Sequence, residues 1–171
     1  MSQIAARLAA LGLSLPPAVQ PPPGVILPFA PVRVIGIRAL ISGHGPQNDD
    51  GTISGPFGKV GAEVSVTEAY HAARMTGLSI LGSLQRELGD LDRIAAWGRV
   101  FGMVCSAPGF VQQPSVINGF SDLIFEVFGP VVGAHSRSAV GMAELPFHLP
   151  VEIEAESVIP RERQRPRNRL S

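Results

Sequence analysis

Cysteine is nearly absent from this chain: Cys105 stands alone among 171 residues. One thiol can build neither an internal disulfide framework nor a cysteine metal cluster, so packing must hold the fold. Charge is scarce too, at 16% of residues with 14 of each sign, and a surface so poor in charge is expected to be partly hidden in an oligomer. No uninterrupted apolar run approaches the ~20 residues of a spanning helix, and no basic-then-apolar leader opens the sequence. A cytoplasmic protein is the expectation. Nucleotide-binding signatures are missing as well. Gly58-Lys59 runs into Val60, with Ile53 where a phosphate-binding loop needs glycine, and Gly43-His44-Gly45 runs into Pro46-Gln47-Asn48. There is no G-x-S-x-G elbow. His44, His71, His135 and His148 lack the spacing of a metal site, so they are read as surface or loop histidines and no metal or cofactor is expected. Cys105, in an apolar segment, reads as an inert buried thiol.

What is present is apolar residue, 45% of the chain, enough to bury a core and too much for disorder. Residues 2–12 read as a short helix capped by Ser2, with Ile4, Leu8 and Leu11 on one face and Gly12 at its end. Seven prolines between Pro16 and Pro31 predict an extended strap laid over the body. Val32–Ser42, broken by Gly36, predicts a hairpin, and the glycine-rich stretch 43–61 a long loop. Ser65-Val66-Thr67-Glu68 is a capping box opening a helix to Gly89, whose small residues Ala69, Ala73 and Gly77 predict close packing on a sheet. Ile94–Ser106 reads as a strand buried on both faces. A second helix starts near Pro114 and carries Val116, Phe120, Ile124, Val127 and Phe128 up to Gly129-Pro130. Two strands, 136–144 and 151–158, follow. The order β-β-α-β-α-β-β argues for an α+β layer with two helices on one face of a mixed sheet. In domain terms, residues 1–31 are helix and strap, 32–159 one α+β domain, and 160–171 a tail read as disordered. That tail holds five arginines against one glutamate, a net charge of +4 that leaves −4 for the body. Without interleaved aromatics it reads as a solubilising tail more readily than as a nucleic-acid arm.

The last third holds the sharpest pattern. Val151-Glu152-Ile153-Glu154-Ala155-Glu156 alternates, placing three carboxylates on one strand face and the apolar residues on the other. Like charges in a row repel, so water or a cation must relieve them. Either the face is simply solvated, or Glu152 is partly buried and paired with Arg137 from the preceding strand.

The blocks Ser42-Gly43, Asn118, His135-Ser136-Arg137-Ser138-Ala139-Val140, Leu145-Pro146 and Val151-Glu152-Ile153-Glu154-Ala155 resemble the Rid family. Its members are also called RidA or YjgF-like, and often endoribonuclease L-PSP. The similarity runs from about Leu27 to Val158, and the strap with the 43–61 loop resembles the larger YjgF/chorismate-mutase-like branch. The resemblance implies a chorismate-mutase-like fold and a homotrimer with clefts between subunits. The implied activity is hydrolysis of reactive imines and enamines to a 2-oxo acid and ammonia, without metal or cofactor. On this pattern Arg137 clamps the substrate carboxylate, as a planar two-donor fork can. Glu152 positions water or handles protons. Asn118, Ser42 and Gly43 fall at the cleft, as does Phe29, where the family has a tyrosine. Ala139 replaces a frequent cysteine, and a stretch is inserted between Asn118 and Arg137. The alternatives are a trimer that binds a small carboxylate without catalysis and, with only the tail in its favour, an endoribonuclease.

Overall fold

Proline, glycine and the capping box divide the chain much as the sequence predicts. The computed structural model describes residues 2–160, so the Arg-rich tail, Pro160 apart, lies outside the described residues. The helices are α1 (Gln3–Ala10), α2 (Val66–Leu88) and α3 (Gln113–Val132). The strands are β1 (Val32–Ile35), β2 (Arg38–His44), β3 (Ala96–Cys105), β4 (Ser136–Met142) and β5 (Val151–Val158). Ser65 Oγ accepts the Glu68 amide at 3.2 Å while Glu68 Oε2 accepts the Ser65 amide at 2.9 Å, closing both halves of the box at the start of α2. Gly89 ends that helix at φ 77°, a left-handed position that glycine takes without strain.

The sheet runs β1-β2-β5-β3-β4, antiparallel throughout except for the parallel pair β3–β4, which α3 connects. α2 and α3 pack on each other and on one face of this sheet. The core lies between the layers, with Leu81, Leu84, Phe120, Leu123, Val100 and Ile153 fully buried. Three expectations are corrected. β3 is buried on one face only, Trp97, Val100 and Val104 pointing at the helices while Arg99 is exposed and Phe101 and Met103 are half-covered, because no second layer covers the other face of a single chain. Gly77 serves helix against helix rather than helix against sheet: a Cβ there would meet Leu123 Cδ2 of α3 at 2.6 Å. α3 also runs past Gly129-Pro130, kinked by the non-helical Gly129, to Val132.

α3 is long and apolar enough to cross a membrane by length and composition, but it serves as a core helix, with Val116, Ile117, Phe120, Leu123 and Ile124 sealed inside. Leu8 of α1 is buried, whereas Leu11, expected on the same packed face, is exposed. α1 is docked at its positive end, where Asp92 accepts the amides of Gln3 at 2.7 Å and Ile4 at 2.8 Å. The strap leaves α1 and is pinned along its course. Pro16 O accepts from Arg86 at 2.9 Å, the Gln20 amide donates to Gly51 O at 2.9 Å, and Ala30 O accepts the Ser42 hydroxyl at 2.8 Å.

Candidate functional site

Sheet register decides where the two strongest sequence candidates go. Arg137 pairs with Val100, a fully buried residue on the helix-covered face, and Glu152 pairs with Met103 on the opposite face. Paired residues in adjacent strands point the same way, so Arg137 and Glu152 lie on opposite faces with β3 between their strands. Of the two alternatives for this face, the pairing of Glu152 with Arg137 is corrected: it cannot form within one chain. The error came from reading consecutive strands as neighbours, when the parallel β3–α3–β4 crossover places β4 at the edge. Of the three carboxylates on β5, Glu156 is held by Arg38 in a two-pronged pair at 2.6 Å for each bond, and Glu154 is exposed.

Arg137 is half-buried against α3 and meets only neutral oxygens. Its Nη1 donates to Asn118 Oδ1 at 3.0 Å and Ser121 Oγ at 2.9 Å, and its Nη2 to Pro114 O at 3.3 Å. Partial burial pulls the guanidinium's pKa below its ordinary value, against the pull of Asp122. Ser121 in turn is tied to His135 Nε2 at 2.9 Å, and His135 Nδ1 donates to Gly133 O at 2.7 Å. A carbonyl can only accept, so the Nδ1 proton is fixed there. In the neutral ring Nε2 then takes the serine hydroxyl proton, leaving the Ser121 oxygen for Arg137. The chain of bonds orients a cation that has no ion-pair partner among the described residues, Asp122 acting on it only from a distance.

Glu152 lies at the other half. Its carboxylate has no hydrogen-bond or ion-pair partner among the described residues, and it rests over Gly43, where a Cβ would collide with Oε1. Burial, followed by repulsion from Glu154, pushes its pKa up. Glu152, Gly43 and Phe29 share the wall of a cavity of about 790 Å³ between the strap, the 43–61 loop, the end of α2 and the Pro146–His148 turn. Ser42 is adjacent, but its hydroxyl and amide are committed to the strap at Ala30 and Pro31.

That cavity contains a second set of bonds built like the first. His44 Nδ1 donates to Ser42 O at 2.6 Å, its Nε2 meets Ser83 Oγ at 2.9 Å, and Arg86 Nη2 donates to the same oxygen at 3.0 Å. Burial first, and then the nearby Arg86, lowers the His44 pKa, so its ring is neutral. The reading of His44 and His135 as ordinary surface or loop histidines is therefore corrected: both are half-buried and bonded through both ring nitrogens.

Comparison with known proteins places this arrangement. A family model described as YjgF/chorismate mutase-like, putative endoribonuclease, matches residues 5–149. Protein TCP17 of Trypanosoma cruzi is 40% identical over 153 residues, 90% of this chain and 92% of its own length. The chain belongs to the YjgF family. A solved protein of unknown function from Agrobacterium tumefaciens matches this YjgF-family chain at 39% identity and TM-score 0.80, covering 91% of each. An endoribonuclease-labelled structure from Shewanella oneidensis matches at 27% identity and TM-score 0.83, covering 91% of this chain and 99% of its own. The chorismate-mutase-like fold is shared more widely. Escherichia coli TdcF, solved with bound serine, matches at 20% identity and TM-score 0.55 over 84% of this chain and 98% of its own.

The six candidate residues of the YjgF-family chain thus fall into two groups, Arg137 with Asn118 and Glu152 with Gly43 and Phe29, Ser42 bracing the second. Missing from the sequence reading were Ser83, Arg86 and Ser121, while His44 and His135 were read as surface or loop histidines. The available signal was Ser83 and Arg86 three apart on one helix, and a histidine beside glycine at a strand end. Nothing in one sequence joins them across 39 residues, the separation of His44 and Ser83.

Proposed function

We propose that this chain is a homotrimeric hydrolase of imine and enamine acids, each cleft built from Arg137 and Asn118 of one subunit and Glu152, Gly43 and Phe29 of the next. One observation carries the reading: an arginine with only neutral partners and a glutamate with none are held on opposite faces of one sheet. Each is half of a complementary pair, and a closed ring of copies unites them without changing the fold. In the cleft, Arg137 grips the substrate carboxylate through its forked donors. Glu152 takes a proton from water as the water oxygen bonds to C2 of the imine. It returns that proton to the nitrogen, which has gained the C=N electron pair. It then carries the remaining hydroxyl proton from oxygen to nitrogen as the C–N bond breaks, so that ammonia and a 2-oxo acid leave. A carboxyl group with raised proton affinity suits both transfers near neutral pH.

The test is complementation in an assay that generates 2-aminoacrylate and follows its loss. Arg137→Lys and Glu152→Gln are each expected to be inactive, lysine because it lacks the two-pronged geometry. Co-refolded in equal amounts, Arg137→Lys and Glu152→Gln subunits should regain about a quarter of wild-type activity, since mixed trimers hold one intact cleft in three. No recovery would place the reaction, if any, within one subunit. A second reading, binding of a small carboxylate without turnover, draws on the missing hydroxyls: Phe29 has none and Ser42 has committed its own. Saturable 2-oxo acid binding by a wild-type protein that never accelerates hydrolysis would establish it.

A further inference from the structure

The cavity beside Glu152 is much larger than a three-carbon enamine needs, and it falls in the size range of sites for drug-sized ligands. Its walls are largely apolar, with Leu27 and Phe29 from the strap facing Phe147 and Leu149. Among the described residues it contains one cationic side chain, Arg86. His44 is excluded as a second cation because burial keeps its ring neutral, against the opposing pull of its bond to Ser42 O.

Arg86 resembles Arg137 in its company. It donates to Pro16 O at 2.9 Å and to Ser83 Oγ at 3.0 Å, both neutral acceptors, and among the described residues it forms no ion pair, although the exposed Glu87 lines the same cavity. A guanidinium has five N–H donors, so these bonds fix its plane between strap and helix and leave donors free for a ligand. Arg86 is exposed along part of its side chain, and burial of the rest pulls its pKa down. A ligand carboxylate would supply the missing charge with matched geometry, which a neutral acceptor would not. Backbone strain is concentrated on the same wall. Phe147 and His148 hold consecutive positive φ angles of 58° and 57°, unusual for residues with side chains, and Phe147 faces the cavity.

We propose that this cavity selects substrates with a second carboxylate at the far end of an apolar body, and that Arg86 receives it. The ligand class is a 2-imino or 2-oxo dicarboxylic acid, its first carboxylate and C2 at the Glu152 cleft and its chain along the apolar wall. The inference rests on the cleft assignment proposed above.

Calorimetric titration of the full chain with 2-oxoadipate and 2-oxohexanoate tests it, since these probes share length and reactive end and differ only in the distal carboxylate. 2-Oxoadipate is expected to bind about tenfold tighter or better. Arg86→Gln should remove that preference while leaving 2-oxohexanoate affinity unchanged. Arg86→Lys, which keeps charge and can still reach Pro16 O, should retain part of it. Equal affinities in the wild type, or a preference that survives Arg86→Gln, overturns the proposal. So does a loss of 2-oxohexanoate binding in both variants, which would make Arg86 a brace for the strap. Hydrolysis of 2-aminoacrylate without a dicarboxylate preference would remove this inference and spare the proposed reaction. The preference without hydrolysis would do the reverse.

Discussion

The carboxylate of Glu152 ionises in a place that resists it, and stability should record that. In the unfolded chain a glutamate titrates near ~4.3, whereas burial and Glu154 raise the folded value. Between those two values the folded state holds the proton that the unfolded state has released. Stability is therefore greatest below the ordinary glutamate range, falls as pH rises through the folded pKa, and stays lower above it. In the dissociated chain Glu152→Gln, which cannot ionise, should melt at a higher temperature than wild type at pH 7 and at the same temperature near pH 3.5. An Arg137 brought beside it by assembly should shrink that difference. Coincident melting curves at both values would mean the carboxylate is not strained. Gly43 controls the same group. In Gly43→Ala the new methyl would occupy the space of Oε1, so turnover should fall about as far as in Glu152→Gln while the fold is retained by circular dichroism. Undiminished turnover would show that Glu152 works from another position.

Helices α2 and α3 approach until backbone meets backbone. A Cβ on Gly119 would strike the carbonyl oxygen of Tyr70, and polar links flank the contact: Tyr70 donates to Asp122 at 2.8 Å and Arg74 to Glu126 at 2.6 Å. Backbone cannot swing aside as a side chain can, so Gly119→Ala should cost about 2–3 kcal/mol in chemical denaturation. A loss under 0.5 kcal/mol, on the same scale, would mean the helices separate freely. This seam also marks where the sequence stopped being legible. Helix starts and stops, the hairpin and the alternation of β5 were readable, because caps, turns and side-chain period are local. What Gly77 faces is not local: small residues announce close approach without naming the partner. Register failed for the same reason. Arg137 and Glu152 are both readable as charges in predicted strands, yet β3 between them is a property of topology. The two histidines were misread because the bonds that define them come from α2 and α3.

Among the described residues no second layer covers the other sheet face, where Leu40 and Phe101 lie beside the exposed Glu154 and a shallow cavity of about 230 Å³. Covering that face with copies of itself would explain why so few residues are charged. Sedimentation equilibrium is expected to give three times 18.0 kDa at micromolar concentration. A single-chain mass would remove both the shared clefts and the reaction proposed for them.

The strap is fastened at Pro16, Gln20 and Ala30 by main-chain acceptors and donors, and little of it belongs to the core between helices and sheet. Backbone fastenings are indifferent to side-chain identity. Leu27 and Phe29, which shape the cavity, can therefore be exchanged while the chain keeps its path and Glu152 its seat on β5. Evolution and engineering gain the same freedom from this: the lining of the cavity can drift in the strap while the layer that carries Glu152 is inherited unaltered.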